Sequence, residues 1–416
     1  MKKAACVLSL LLTLPSIAAQ AGTQASGPEF HAGTCADCEK RLPAVAGTKT
    51  GEFVVVWQGA SRTDPQAILA RFFNKSGAPR GVQVQVNKQL PPDQYDASVA
   101  VDSSGNYIVA WSEVINDNSE IFVQRFDSKA KAVGAAVKVS VDDPAAPATP
   151  LDVYPVVATT PDGGFVVAWI GAVPPSDTDR IPPVVQFRRF GKNGAPLGPQ
   201  IRLNTGLVRG IRPDVCVSNS GQAVVVWTSV DGFRPFQNNK KGISMRRVAK
   251  TGAPAGPEVV VAQPKAYDSD GAVSCAPNGS FVVVWHTDET PAVDRMDILG
   301  QRYTPLGRKS GAIFRVNSQA PNDQRDPAIS HDASGNFVVV WESREPETTR
   351  IMGRRFKANG TADGADFVID TQAEGEPMPD EAEVAHVGSS GEFVVVWQAG
   401  PKDVVGRRYK ITASRR

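Results

Sequence analysis

Seven tryptophans fall at positions 57, 111, 169, 227, 285, 341 and 397, always 54 to 58 residues apart, and the chain contains no others. Each closes the same kind of segment: Gly51 to Trp57, Gly105 to Trp111, Gly163 to Trp169, Gly221 to Trp227, Gly279 to Trp285, Gly335 to Trp341 and Gly391 to Trp397. The interior of each segment is a run such as Phe-Val-Val-Val, apolar at consecutive positions. Such runs, without polar alternation, mark strands buried on both faces. Upstream of each Gly lies a shorter apolar segment, such as Pro43 to Ala46 or Pro327 to Ser330, joined by turn residues such as Asp332-Ala-Ser-Gly335. That is a hairpin signal. Downstream comes a third strand ending Gln124-Arg125-Phe126, Arg188-Arg189-Phe190 or Arg354-Arg355-Phe356. A fourth follows that alternates, as in Val84-Gln85-Val86 and Phe314-Arg315-Val316, and is therefore half exposed.

Four antiparallel strands per unit, with the second buried on both faces, make the blade of a β-propeller. Seven units predict an all-β, seven-bladed ring over residues 27–411. Its blades are expected at about 42–88, 96–141, 153–205, 212–262, 270–318, 326–371 and 380–411. The seventh unit ends without a fourth strand. The segment 27–32, Gly-Pro-Glu-Phe-His-Ala, matches Gly256 to Val261 and Gly364 to Ile369, so an N-terminal strand is expected to complete the last blade and close the ring; a disordered tail is the alternative.

The pattern resembles the secreted bacterial propeller repeats with a Gly-x-Phe-Val-Val-Val-Trp core, a Gln-Arg-Phe strand and a Val-Asn end. These are distantly similar to integrin-type propellers and also occur inside surface adhesins. The resemblance implies a fold and no particular activity. The Gly-His and Trp-Asp signature of WD repeats is missing, and six residues separate Gly335 from Trp341 where the sialidase Asp-box would have three.

Residues 1–21 read as a cleavable signal peptide: Lys2 and Lys3, an apolar run broken by Pro15, and Ala19-Gln20-Ala21 before Gly22. A spanning helix needs roughly 20 unbroken apolar residues, so a membrane anchor is disfavoured. A secreted or periplasmic chain, monomeric and with no membrane span, is the expectation. Loss of Lys2 and Lys3 leaves 43 basic against 43 acidic residues, which gives no general attraction to nucleic acid or anionic membranes. Cys6 leaves with the signal. Cys35 and Cys38 fit a disulfide, a redox pair or half a zinc site, whereas Cys216 and Cys275 lie in the first strands of neighbouring blades, placed to face each other as a disulfide. A four-cysteine zinc site would have to span the channel, so no metal and no cofactor are expected.

Long variable loops (171–183, 228–242, 286–297 and 141–153) share one face, the natural place for function on a rigid scaffold. On it, Tyr95, Tyr154, Tyr267, Arg212 and Arg325 stand at the start of first strands. They would either ring a central funnel suited to a glycan or peptide or simply cap their own blades. Phe233 and Phe236 are further aromatic candidates. The paired third-strand series, one beginning Arg71, Gln124, Arg188 and Arg246 and the other Arg125, Arg189 and Arg247, are expected to pack on aromatics or pair with loop carboxylates rather than bind ligand. His31, His286, His331 and His386 show no ligand spacing, and no catalytic motif is present. The reading is an exported, non-catalytic binding or scaffold propeller that recognises a glycan, peptide or envelope component. The alternative is a polysaccharide hydrolase or lyase using loop-face carboxylates such as Asp142, Asp143, Asp288, Glu289, Asp294, Asp297, Asp380 and Glu381 with Tyr or Arg.

Overall fold

The computed structural model describes residues 22–35, 38–61, 66–87, 93–115, 118–141, 151–172, 183–205, 209–230, 241–266, 268–287, 296–318, 323–345, 348–373 and 379–412. Its elements are all strands, arranged as seven four-stranded antiparallel blades around a common axis. In blade 5 the first strand is Ser269–Cys275, the second Phe281–Thr287, the third Asp297–Tyr303 and the fourth Phe314–Arg315. Hydrogen bonds run in that order from the axis outward. Blades 2 and 3 are further joined by a parallel bridge from Ser119 to Leu151. No helix among the described residues is long and apolar enough to cross a membrane.

The second strands explain the ring. Alternate side chains point to opposite faces of a strand, and here both faces meet a neighbouring blade. Val54 and Val56 pack with Val99 and Val109 of blade 2, whereas Phe53, Val55 and Trp57 pack with Val394 and Val396 of blade 7. Seven such cores lie between successive blades, and in every one the tryptophan points to the preceding blade. All seven indoles are fully buried. Burying a large aromatic side chain stabilises by about 3 kcal/mol, so each blade depends on two neighbours.

Closure is made by the N-terminal segment. Gly22–Ala25 and Phe30–His31 pair antiparallel with the last strand, Val404–Thr412. The segment thus starts five residues earlier than 27 and is interrupted in the middle. Phe30 takes the place of a fourth-strand aromatic: its ring fills the space over Gly406 as Phe314 does over Gly300 and Phe367 over Gly353, where a Cβ would collide.

The third-strand arginines fasten neighbouring blades. Nη1 of Arg188, Arg246, Arg354 and Arg407 donates to the carbonyls of Val139, Leu203, Val316 and Ile369 in the preceding blade, at 2.8 to 2.9 Å. Arg71 does the same to Ala32, across the closure (3.1 Å). Arg71, Arg188 and Arg354 also lie 5.5 to 5.9 Å from the centroids of Phe73, Phe190 and Phe356. Packing on aromatics is thus observed, and so is pairing with carboxylates, as Arg189 with Asp162, Arg355 with Asp363 and Arg408 with Glu392; the bond to a backbone carbonyl of the neighbouring blade comes in addition. Cys216 and Cys275 form a disulfide between the first strands of blades 4 and 5, and Cys35 pairs with Cys38.

Replacing Arg246 by Met should therefore leave the buried Leu203 carbonyl unpaired and cost about 2 kcal/mol in chemical denaturation, whereas Lys250→Met on the exposed turn nearby should change little. Equal stability of the two variants would contradict the fastening role.

Candidate functional site in the axial funnel

Each first strand carries an irregularity within its first four residues. Leu42, Asp96, Tyr154, Arg212, Asp270, Asp326 and Glu381 have φ between +47° and +55°, one per blade. The register slips at the same point in all seven first strands, as between Tyr95 and Ser98 or Arg325 and Ala328. A left-handed conformation costs a non-glycine residue roughly 1 to 2 kcal/mol, so a sevenfold ring of them is a costly feature. It also re-aims one side chain per blade.

Neighbouring blades hold the bulges. The Asp270 amide donates to Oγ1 of Thr228 (3.0 Å), and the Glu381 amide to Oε1 of Glu342 (3.0 Å). The Asp326 amide is directed at Nδ1 of His286 (3.4 Å). Thr228, His286 and Glu342 each follow the tryptophan of their second strand, so the buried core sets the position of the funnel.

The re-aimed side chains converge. Arg212 Nη1 lies 2.7 Å from Oδ1 of Asp270 and 3.7 Å from Oδ1 of Asp326, spanning blades 4 to 6. His286 Nδ1 lies 3.6 Å from Asp270 Oδ2 and 4.0 Å from Asp326 Oδ1. Asp270, His286 and Asp326 offer ligand atoms within 4.8 Å of one another, a set that could hold a metal ion, although Arg212 already supplies the neutralising charge. Burial opposes ionisation of Asp270, but Arg212 and His286 outweigh it and hold the carboxyl below its ordinary value. Asp96 moves the other way: burial raises it, against a hydrogen bond from the Tyr154 amide and the charge of Arg212. Burial, with Asp96 and Glu381 nearby, also raises the Tyr154 hydroxyl, while half of that side chain remains open (48%).

Two residues further along, Asp214 accepts the amides of Val215 and Val273, both at 2.7 Å, and burial pushes it up to about 6. Glu383 is exposed to the axial channel, with protein crowding around that channel. Its desolvation, with Asp214 and Glu381 close by, pushes it up to about 8.

Tyr154 and Arg212 thus belong to the ring. Tyr95 and Arg325 sit one residue before it and turn to local partners, Asp93 (2.9 Å) and Asp323 (2.7 Å). Phe233, Phe236, Tyr267, Asp142, Asp143, Asp288, Glu289 and Asp294 lie outside the described residues, as does the side chain of Asp380. Asp297 is engaged by Arg315 and Asn317 at the outer edge of blade 5 (both 2.9 Å). Sequence reasoning passed over Asp96, Asp270, Asp326 and His286. Their signal was periodic: the ring positions recur 54 to 58 residues apart, each just before Pro, Ala or Gly.

No protein-family model and no curated protein matches the chain. Solved structures do. An ulvan lyase of polysaccharide lyase family PL25, bound to -[GlcA(1-4)Rha3S]-, is 8% identical with a TM-score of 0.57, covering 92% of this chain and 96% of that one. A protein of unknown function from Dyadobacter fermentans is 11% identical with a TM-score of 0.55, covering 94% and 99%. The hydrazine synthase of Kuenenia stuttgartiensis is 12% identical with a TM-score of 0.54, covering 93% and 99%. The chain is a seven-bladed propeller. At such identities the propeller shares ring geometry with these proteins and nothing finer.

The raised Glu383 carboxyl has a measurable sign. The folded state holds its proton between the ordinary carboxylate range and about 8, so its contribution to stability falls as pH rises through that window. Thermal unfolding of Glu383→Gln should thus gain on wild type steadily from pH 5 to pH 9. A pH-independent difference would show that Glu383 titrates normally.

Proposed function

We propose that the protein is an exported, monomeric binding propeller, released from residues 1–21, whose axial funnel takes a hydroxyl-rich ligand, a glycan segment. The observation that carries this reading is the ring of bulge residues, which sets an exposed tyrosine beside Arg212 and the carboxylates of Asp96, Asp270, Asp326 and Glu381. An aromatic face covers the apolar side of a sugar ring, while carboxylate and guanidinium groups exchange paired hydrogen bonds with vicinal hydroxyls. Acids outnumber bases there, which favours neutral or amine-bearing sugars over uronates. The shared ring geometry with a polysaccharide lyase is in keeping with a glycan ligand.

A second reading, hydrolysis or elimination within a polysaccharide, is favoured by one observation: Asp270 and Asp326 meet around His286 and Arg212, two carboxylates whose surroundings differ.

Retention of the mature chain on immobilised neutral and amino polysaccharides, scored together with released reducing ends, separates the two. Binding that weakens at least tenfold in Tyr154→Ala and in Asp270→Asn, without product, is expected. Fragments released by wild type but not by Asp270→Asn would replace binding with catalysis, and retention unchanged in both variants would remove the funnel from the account.

A further inference from the structure

The zero net charge expected of the mature chain conceals a division between the two faces. The connections from third to fourth strands all lie on the face opposite the funnel, and each of blades 1 to 6 places an exposed lysine there: Lys75, Lys129, Lys192, Lys250, Lys309 and Lys357. None of the six forms an ion pair with a described residue. The acids of the same connections are fewer: Asp363 and Asp366 are neutralised by Arg355 and Arg354, while Glu258 and Asp127 accept hydrogen bonds from Thr205 and from the amides of the Asp127 turn and keep their charge. The result is a ring of free cations on one face and a ring dominated by carboxylates on the other.

Large aliphatic side chains stand among these lysines. Val82 is 81% exposed, Leu306 66% and Leu197 55%, and all three belong to third-to-fourth-strand connections, in blades 1, 5 and 3. Leu306 comes three residues before Lys309, and Leu197 five after Lys192. They are the three most exposed of the large hydrophobic residues among those described, and Leu306 and Leu197, close to the turns that carry the unpaired lysines, ask for a partner that offers anions and apolar depth together.

We propose that this turn face docks the propeller on an anionic phospholipid surface. Lysines spread over six of the seven blades match a flat field of phosphate headgroups, and the leucines projecting between them enter the boundary beneath. A soluble polyanion would satisfy the lysines and leave the aliphatic residues in water. Docking in this pose turns the funnel away from the lipid, toward whatever it binds. The inference stands independently of the funnel's ligand, because no residue is shared.

The test is co-sedimentation of the mature chain with vesicles of pure phosphatidylcholine and with vesicles containing one-third phosphatidylglycerol, at low and high salt. Each lysine near an anionic leaflet strengthens partition about fivefold, so binding should require phosphatidylglycerol and fall with salt. Combined Lys75→Glu, Lys192→Glu, Lys250→Glu and Lys357→Glu should lower partition at least about a hundredfold. Leu197→Ser with Leu306→Ser should remove the binding that survives high salt. The headgroup and salt dependence of the wild type tests the proposal even where a variant fails to fold. Absence of binding, equal binding to phosphatidylcholine, or undiminished binding of a folded charge-reversed variant would overturn it. So would preference for a soluble sulfated polysaccharide that vesicles cannot compete away.

Discussion

A strand that is apolar on both faces cannot be satisfied by a single sheet, and that constraint generates the rest of this molecule. Each Val-Val-Val-Trp run needs an apolar surface in front and another behind. A row of blades would leave two such surfaces bare at its ends. The chain removes both by bringing Phe30 and Ala32 round to the seventh blade, so that Ala32 and Phe53 share a core with Val394 and Val396. The arginine contacts to carbonyls of the preceding blade follow the same logic. Where Arg occupies this third-strand position it satisfies a backbone group next door; at Gln124 and Gln301 the amide instead donates to carbonyls of its own blade.

Closure brings seven first strands to the axis, and there the structure departs from regularity at a cost. Seven non-glycine residues in the left-handed region are not needed to bury a core. They aim side chains from separate blades into one small volume, and the amides of Asp270, Asp326 and Glu381 are held by the residue after the neighbouring tryptophan, that of Tyr154 by Asp96. The core and the funnel are therefore mechanically one unit: the side chains that receive the first three of these amides are mounted on the most rigid strand of the blade. A rigid, strained, polar ring is what a binding site requires if its groups are to be in place before the ligand arrives.

The tryptophan spacing made the blade count, the doubly buried second strand and the completing N-terminal segment legible, because each is written in local residue pattern. Tyr154 and Arg212 were legible as side chains at the mouth of the ring. Asp96, Asp270 and Asp326 were not, because an aspartate beside Ala, Gly or Pro at the end of a linker reads as an ordinary turn residue. What makes it functional is a slip of register, which is a relation between two strands. The Cys216 and Cys275 pair could be anticipated from parity along adjacent strands. The division of charge between faces was hidden because 43 basic and 43 acidic residues cancel in a sum that ignores where they sit.

The central claim is that the axial bulge ring, rather than the long loops, is where this propeller meets its soluble ligand. Hydrogen–deuterium exchange with and without a retained oligosaccharide reads this most directly, since it reports every first strand at once. The account predicts slowed exchange in peptides spanning 94–98, 152–156, 210–214, 268–272 and 324–328, with the turns at 74–83 and 191–200 unchanged. Protection confined to 173–182, 231–240 and 288–295 would contradict it.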